Sequence, residues 1–110
     1  MNYSELTDFE INKRVAEALG YTEITMGYTT SSLMVEMKGL ESTRRDVDYC
    51  NNPSDAWPII LENRIDIQWS GHSALCLGFI NNNEDSIMIR HDNPLRAAMI
   101  VFLMMKESEQ

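Results

Sequence analysis

Two cysteines and two histidines are the residues of this chain best suited to nucleophilic or metal chemistry. A thiol–imidazole pair would need Cys50 beside His72 or His91, and nothing in the local sequence favours that pairing. Cys76 stands between two leucines, which is typical of a buried core residue. Because the four residues lack the short Cys-x-x-Cys spacing of zinc sites, the sequence predicts no metal site.

The stretch Ser70-Gly71-His72-Ser73 has a superficial similarity to the nucleophile turn of hydrolases. That turn needs Gly-x-Ser-x-Gly between a strand and a helix, whereas a strand-like run follows Ser73. A histidine in a loop between two strands is the better interpretation. The chain also lacks a Gly-rich phosphate loop, a dinucleotide fingerprint and a calcium-binding loop. We therefore predict no catalytic residue, no cofactor and no enzymatic activity.

One polar corner gathers a cation, an imidazole and a carboxylate just before a helix. It consists of Arg90, His91, Asp92 and Asn93, with Arg96 in the first turn of that helix. Free backbone N–H groups at a helix N-terminus favour anions, so the corner is a candidate site for an anion or another small molecule. The alternative, which we favour, is that Asp92 and Asn93 only cap the helix.

A second helix opening has the same ambiguity. Asn52 is suited to cap it, Pro53 to take its first turn, and Asp55 to lie near its positive end. Trp57 is either an exposed anchor for a partner or, as is more common for tryptophan on a helix face, part of the core. Asn52, Asp55 and Trp57 complete the set of candidate binding residues.

Three predicted helices must position these groups. They are expected from Thr7 to Gly20, from Asn52 to about Asn63 and from Asn93 to about Lys106. Thr7 and Glu10 have the spacing of a capping box, and Pro58 is expected to kink the second helix or delay its start. The third helix is apolar on every side over residues 97–105, which predicts burial between layers.

Alternating apolar and polar residues predict several short strands. These are Glu23–Tyr28, Leu33–Lys38, Ile65–Trp69, Ala74–Ile80 and Ser86–Arg90, with Val47–Cys50 as a candidate for one more. Gly39–Asp46 is expected to be a polar connection and Asn81–Asp85 a turn. Short turns favour antiparallel pairing. The sequence thus predicts an α+β fold, a small mostly antiparallel sheet packed against about three helices in the order α-β-β-α-β-β-β-α.

Composition limits the kinds of partner. A chain of 110 residues fits one domain, expected to span residues 1–110. Its 17 acidic and nine basic residues give a net charge of −8, which argues against direct binding to nucleic acid. The longest apolar run has nine residues, far short of a membrane span, and no signal peptide is apparent. We expect a cytoplasmic protein with reduced cysteines.

Three segments of the chain resemble a known family. They are SELTDFEINKRVAEALGY at residues 4–21, YCNNPSDAWPIILENRI at residues 49–65 and NPLRAAMIVFLMMKES at residues 93–108. Together they cover about half of the chain, in order and across all three predicted helices. They are similar to NinX, a family of small phage and prophage proteins. The resemblance implies a temperate-phage accessory protein in a bacterial cytoplasm, and it supplies neither a catalytic residue nor a ligand.

Two hypotheses of function follow. The first is a non-enzymatic protein that binds a host or phage protein, for example to inhibit a host nuclease or defence complex. It draws on the acidic charge, the absence of a catalytic constellation, the eight methionines and the family resemblance. The alternative is a small-molecule or anion binder, or a minor enzyme, that uses the corner from Arg90 to Arg96. The sequence predicts neither the identity of the partner nor the oligomeric state.

Overall fold

The computed structural model describes residues 2–37, 40–80 and 84–109. A short 3-10 turn at Tyr3–Glu5 precedes three helices, α1 (Asp8–Ala18), α2 (Pro53–Glu62) and α3 (Pro94–Ser108). The predicted capping box of α1 is present, since the Thr7 and Glu10 side chains each accept a backbone N–H of the other residue, both at 3.1 Å. Gly20 lies just past the helix with a φ of 94°, a conformation that glycine adopts without strain.

The α2 helix starts at Pro53, where Asn52 caps it by accepting the Ser54 N–H at 3.0 Å. Pro58 lies inside the helix and does not delay its start. The C-cap is Asn63, as the sequence predicts.

The strands within the described residues form two three-stranded antiparallel sheets. The first contains β1 (Glu23–Met26), β2 (Leu33–Met37) and β3 (Leu40–Val47), and the second contains β4 (Asp66–Ser70), β5 (Ser73–Ile80) and β6 (Asp85–His91). The middle strands are β2 and β5. This confirms the predicted α+β class and the order of the predicted elements, with one further strand, β3, before α2 and with the strands divided between two sheets. The predicted strand residue Lys38 and turn residues 81–83 lie outside the described residues.

The third strand is the main correction to the sequence-based fold. The stretch expected to be a polar connection is β3 from Leu40 onward, while Gly39 lies outside the described residues. The strand is at an edge of the first sheet, where charged residues such as Arg44 and Arg45 face solvent and protect the edge. The candidate strand Val47–Cys50 is wrong beyond Val47, because a turn follows.

The α3 helix occupies the centre of the fold. It packs on one side against β5 and β6 and on the other against α1 and α2, while α1 also contacts β2. All eight residues from Arg96 to Leu103 are buried. Burial on every side, predicted from the apolar composition of residues 97–105, is confirmed for residues 97–103, while Met104 and Met105 are half-buried.

The α3 helix approaches the second sheet closely at Gly78 of β5. A Cβ atom at this position would lie 2.6 Å from Val101 Cγ1 and 2.7 Å from Met105 Sδ. Real Cβ contacts are essentially never that short. Glycine therefore sets the spacing between the helix and the sheet.

We expect Gly78→Ala to destabilise the protein by about 1–3 kcal/mol, because the added methyl group must push α3 away from β5. Urea denaturation followed by circular dichroism measures this. Adding Val101→Ala should recover part of the loss, since it opens the space that the new methyl group needs. Strictly additive effects of the two substitutions would contradict this account of the packing.

Candidate functional site

The Arg96 side chain lies at the buried N-terminal end of α3 and is fully engaged within the protein. Arg96 is only 8% exposed, and its Nη1 lies 2.7 Å from Asp8 Oδ1. Its Nη2 donates to the carbonyl oxygens of Leu6, at 2.7 Å, and Tyr3, at 3.3 Å. The guanidinium therefore joins α3 to the residues that lead into α1, and it is not a free cation for a ligand.

Asparagines extend these contacts to the start of α2. Asn51, next to the cap of α2, donates to Asp8 Oδ2 at 3.1 Å. Asn93 donates to Asn51 Oδ1 at 3.2 Å and to the Cys50 carbonyl at 2.7 Å. The Asn93 Oδ1 in turn accepts the Leu95 N–H at 3.0 Å, which makes Asn93 the cap of α3. All three helix starts thus meet at one place.

A buried amide and a carboxylate complete this cluster. Asn12 is fully buried and donates to Asp48 Oδ1 at 2.8 Å and to the Ser31 carbonyl at 2.9 Å. Its Oδ1 accepts the Cys50 N–H at 3.0 Å. The Asp48 N–H donates to Asp55 Oδ2 at 2.9 Å, so the candidate residue Asp55 supports the turn before α2. We refer to Asp8, Asn12, Asp48, Asn51, Asn93 and Arg96 as the Arg96 network.

The remaining residues of the predicted corner lie apart from this network. Arg90 donates to Ser73 Oγ at 3.3 Å, and its partner in the β5–β6 register is Leu75. Its guanidinium therefore lies on the face of the second sheet that points away from α3. His91 is exposed, and its Nδ1 accepts the Asn93 N–H at 2.9 Å. Asp92 is exposed.

A small cavity does adjoin the corner. It has a volume of about 200 Å³. Its lining consists of Asn2, Tyr3, Ser4, Ile89, Arg90, His91, Ile100 and Met104. The wall is mainly apolar, and both cations of the corner are directed elsewhere, Arg96 into its network and Arg90 toward Ser73.

Both cysteines are buried, whereas both histidines are exposed. Burial raises the pKa of the Cys50 thiol, with a further rise from nearby Asp8, and raises that of Cys76 to about 11. The Cys76 thiol donates to the Pro94 carbonyl at 3.4 Å. His72 is exposed in the turn between β4 and β5. Over residues 2–37, 40–80 and 84–109, no three His, Cys, Asp or Glu residues are grouped to hold a metal ion.

A group of exposed apolar side chains lies between α2 and β4. Trp57 is 54% exposed, Leu61 57% and Trp69 64%. These side chains border an open groove of about 510 Å³. We call it the tryptophan groove, and its lining residues are Trp57, Ile60, Leu61, Arg64, Ile65, Asp66, Ile67 and Trp69. Of the two interpretations of Trp57, exposure on the surface is the one observed.

Arg64, in the same groove, has a strained backbone. It follows the C-cap of α2 with a φ of 52°, where glycine is the usual residue. The Arg64 N–H donates to the Leu61 carbonyl at 3.3 Å and the Ile65 N–H to that of Ile60 at 3.1 Å, the paired bonds of a Schellman motif. For a residue with a Cβ this conformation costs about 1–2 kcal/mol. Arg64 forms no ion pair with any residue that the structure describes.

Trp69, Leu61 and Arg64 are missed by the sequence-based search. Alternation places Trp69 on the same strand face as Ile67, and its register partner Ala74 is indeed buried. What alternation does not reveal is that β4 is an edge strand, so that the large indole extends past the core. One sequence signal could have pointed to Arg64. The predicted helix ends at Asn63-Arg64, where a glycine is usual and none is present.

Fold and surface together define a small α+β protein with a central buried helix and a groove lined by two tryptophans. Within the described part of the chain, no helix has the length and apolar character that crossing a membrane requires. The family model described as bacteriophage P22 NinX matches residues 2–106. The chain therefore belongs to the NinX family of phage proteins, and the resemblance in its three helical segments extends over the intervening strands. No match is found among curated proteins.

We expect Arg96→Met to destabilise the protein by about 3–5 kcal/mol, because it leaves a partly buried carboxylate and two carbonyl groups without their donor. Chemical denaturation measures the change. Asp8→Asn is the matched control and should cost less, since the amide keeps an oxygen that can accept from the guanidinium. A loss below about 1 kcal/mol for Arg96→Met would mean that the network does not hold the helix starts together.

Proposed function

We propose that this phage protein acts by binding another protein, of the phage or of its bacterial host, through the tryptophan groove. The observation that carries the proposal is the pair of tryptophans, both more than half exposed, on the two sides of one groove. A side chain of this size is costly to leave in water unless contact with a partner covers it.

The composition of the groove supports a protein partner. Tryptophan and arginine are the residues most enriched among those that dominate binding energy at protein interfaces. Here two tryptophans, Leu61 and Arg64 line a single groove. An exposed arginine held in a strained backbone conformation further supports a functional role, because residues with such strain cluster at functional sites.

The site of action would be the bacterial cytoplasm. One form of the proposal is inhibition of a host nuclease or defence complex. The net charge of −8 supports this form, since acidic residues would be attracted to a surface that normally binds nucleic acid. Binding would require no catalysis, cofactor or metal from this chain.

We expect the double variant Trp57→Ala/Trp69→Ala to lose its partner while keeping its fold, because more than half of each indole faces solvent and neither residue belongs to the buried core. The measurement is quantitative affinity capture from lysate of the bacterial host, followed by affinity determination with the purified candidate. Tyr28→Ala is the matched control, since Tyr28 is an aromatic residue, 84% exposed, in the turn between β1 and β2. Equal capture by all three proteins would refute binding at this groove.

Arg64→Gly separates stability from binding. Glycine relieves the left-handed conformation, so the free energy of unfolding should rise by about 1 kcal/mol. Affinity for the captured partner should fall, because the guanidinium is lost. Arg64→Gln is the control, since it removes the charge and retains the backbone strain. A glycine variant with unchanged affinity would assign Arg64 no part in binding.

The alternative proposal is a small-molecule binder at the corner near His91. The cavity of about 200 Å³ favours it, since a volume of this size holds a small apolar ligand. Binding of an anion is the less well supported version of this alternative, because Arg90 and Arg96 already contact groups within the protein. Thermal-shift assays against a panel of nucleotides and metabolites distinguish the alternative, which requires a rise in melting temperature that Met104→Trp abolishes by filling the cavity.

A further inference from the structure

The free edge of β4 adjoins the tryptophan groove. In the sheet order β4-β5-β6, β4 pairs with β5 on one side and with no other strand that the structure describes. Sheet edges are usually protected by lysine, proline or a bulge. The five residues of β4 include no lysine or proline, and their only charge is that of Asp66 at the start. Backbone donors and acceptors on this edge are therefore available to another strand.

The groove runs beside this edge. Trp57 and Leu61 of α2 form one wall, and Ile67 and Trp69 of β4 form the other. Ile67 and Trp69 share the face of the sheet that carries buried Cys76 and Ala74, their partners on β5. A partner segment that pairs with β4 would therefore place every second one of its own side chains in the groove, between α2 and β4. The volume of about 510 Å³ accommodates several apolar side chains.

The charge of Arg64 indicates which chemical group a bound partner segment would place at one end of the groove. Arg64 lies between Glu62 and Asp66 in sequence, yet it forms no ion pair with either. A guanidinium without a carboxylate partner can bind one in a bidentate manner, and arginine is well suited to this task. Screening at physiological salt limits repulsion from distant acidic residues, so contacts at short range decide the preference.

We propose that the groove binds an extended segment of the partner protein, which adds as a strand to the β4 edge. Apolar side chains at alternate positions fill the groove, and a carboxylate binds Arg64. This inference rests on the proposed function and specifies the form of the partner. Main-chain hydrogen bonds would supply affinity, and the alternate side chains and the carboxylate would supply selectivity.

The test uses a displayed library of random ten-residue peptides selected against the full-length protein. Selected peptides should show apolar residues at every second position and an Asp or Glu, or a free C-terminal carboxylate, near one end. Amidation of the C-terminus and replacement of the acidic side chain by its amide distinguish the two sources of the carboxylate. Trp69→Ala and Arg64→Gln should each weaken a selected peptide by at least about tenfold, while Tyr28→Ala should not.

A backbone scan tests strand addition itself. In a selected peptide, N-methylation should abolish binding at every second residue only, because alternate amides of a strand face a given neighbour. No selected peptide, or a scan without this alternation, would overturn the inference. If the double tryptophan variant still loses its lysate partner in that case, the groove binds a folded surface and the proposed function stands. If the variant keeps its partner, both proposals fail.

Discussion

The rest of this structure depends on the ion pair and hydrogen bonds of the buried Arg96 guanidinium. A charge removed from water must find partners, and this one finds them in Asp8 and in two carbonyl groups before α1. That requirement fixes the start of α3 against the start of α1. Asn51 binds both helices and immediately precedes the cap of α2, so the direction of α2 is set at the same point. The position of Trp57, one turn further along, is a consequence of this arrangement.

Local chemistry explains why the helices could be predicted from the sequence. The caps Thr7, Asn52 and Asn93 satisfy backbone groups within a few residues of themselves, so a short window of sequence contains the whole signal. The β3 strand lacks such a signal. Its hydrogen-bond partners lie in β2, and its polar residues are those that an edge strand and a loop have in common. Its identity as a strand depends on pairing that no local pattern encodes.

The site was less accessible to sequence analysis than the fold, for a related reason. Sequence shows which residues carry charge, but Arg96 looks free until its burial against Asp8 is known. Likewise, Trp69 has the alternation of a core residue and becomes exposed because β4 has no outer neighbour among the described strands. Of the candidate binding residues predicted from the sequence, only Trp57 lines the tryptophan groove. Whether a side chain at the margin of the core is exposed depends on which helices and strands lie beside it. That arrangement exists only in the assembled fold.

The unprotected edge of β4 also has a consequence for how copies of the protein behave toward one another. A strand that can accept any extended chain can accept the same strand of another copy, and such pairing leads to aggregation. Each copy carries a net charge of −8, and this mutual repulsion opposes the approach of two edges. The acidity of the chain thus substitutes for the lysine or proline missing from β4. Near the isoelectric point, or in concentrated salt, this colloidal protection would be lost.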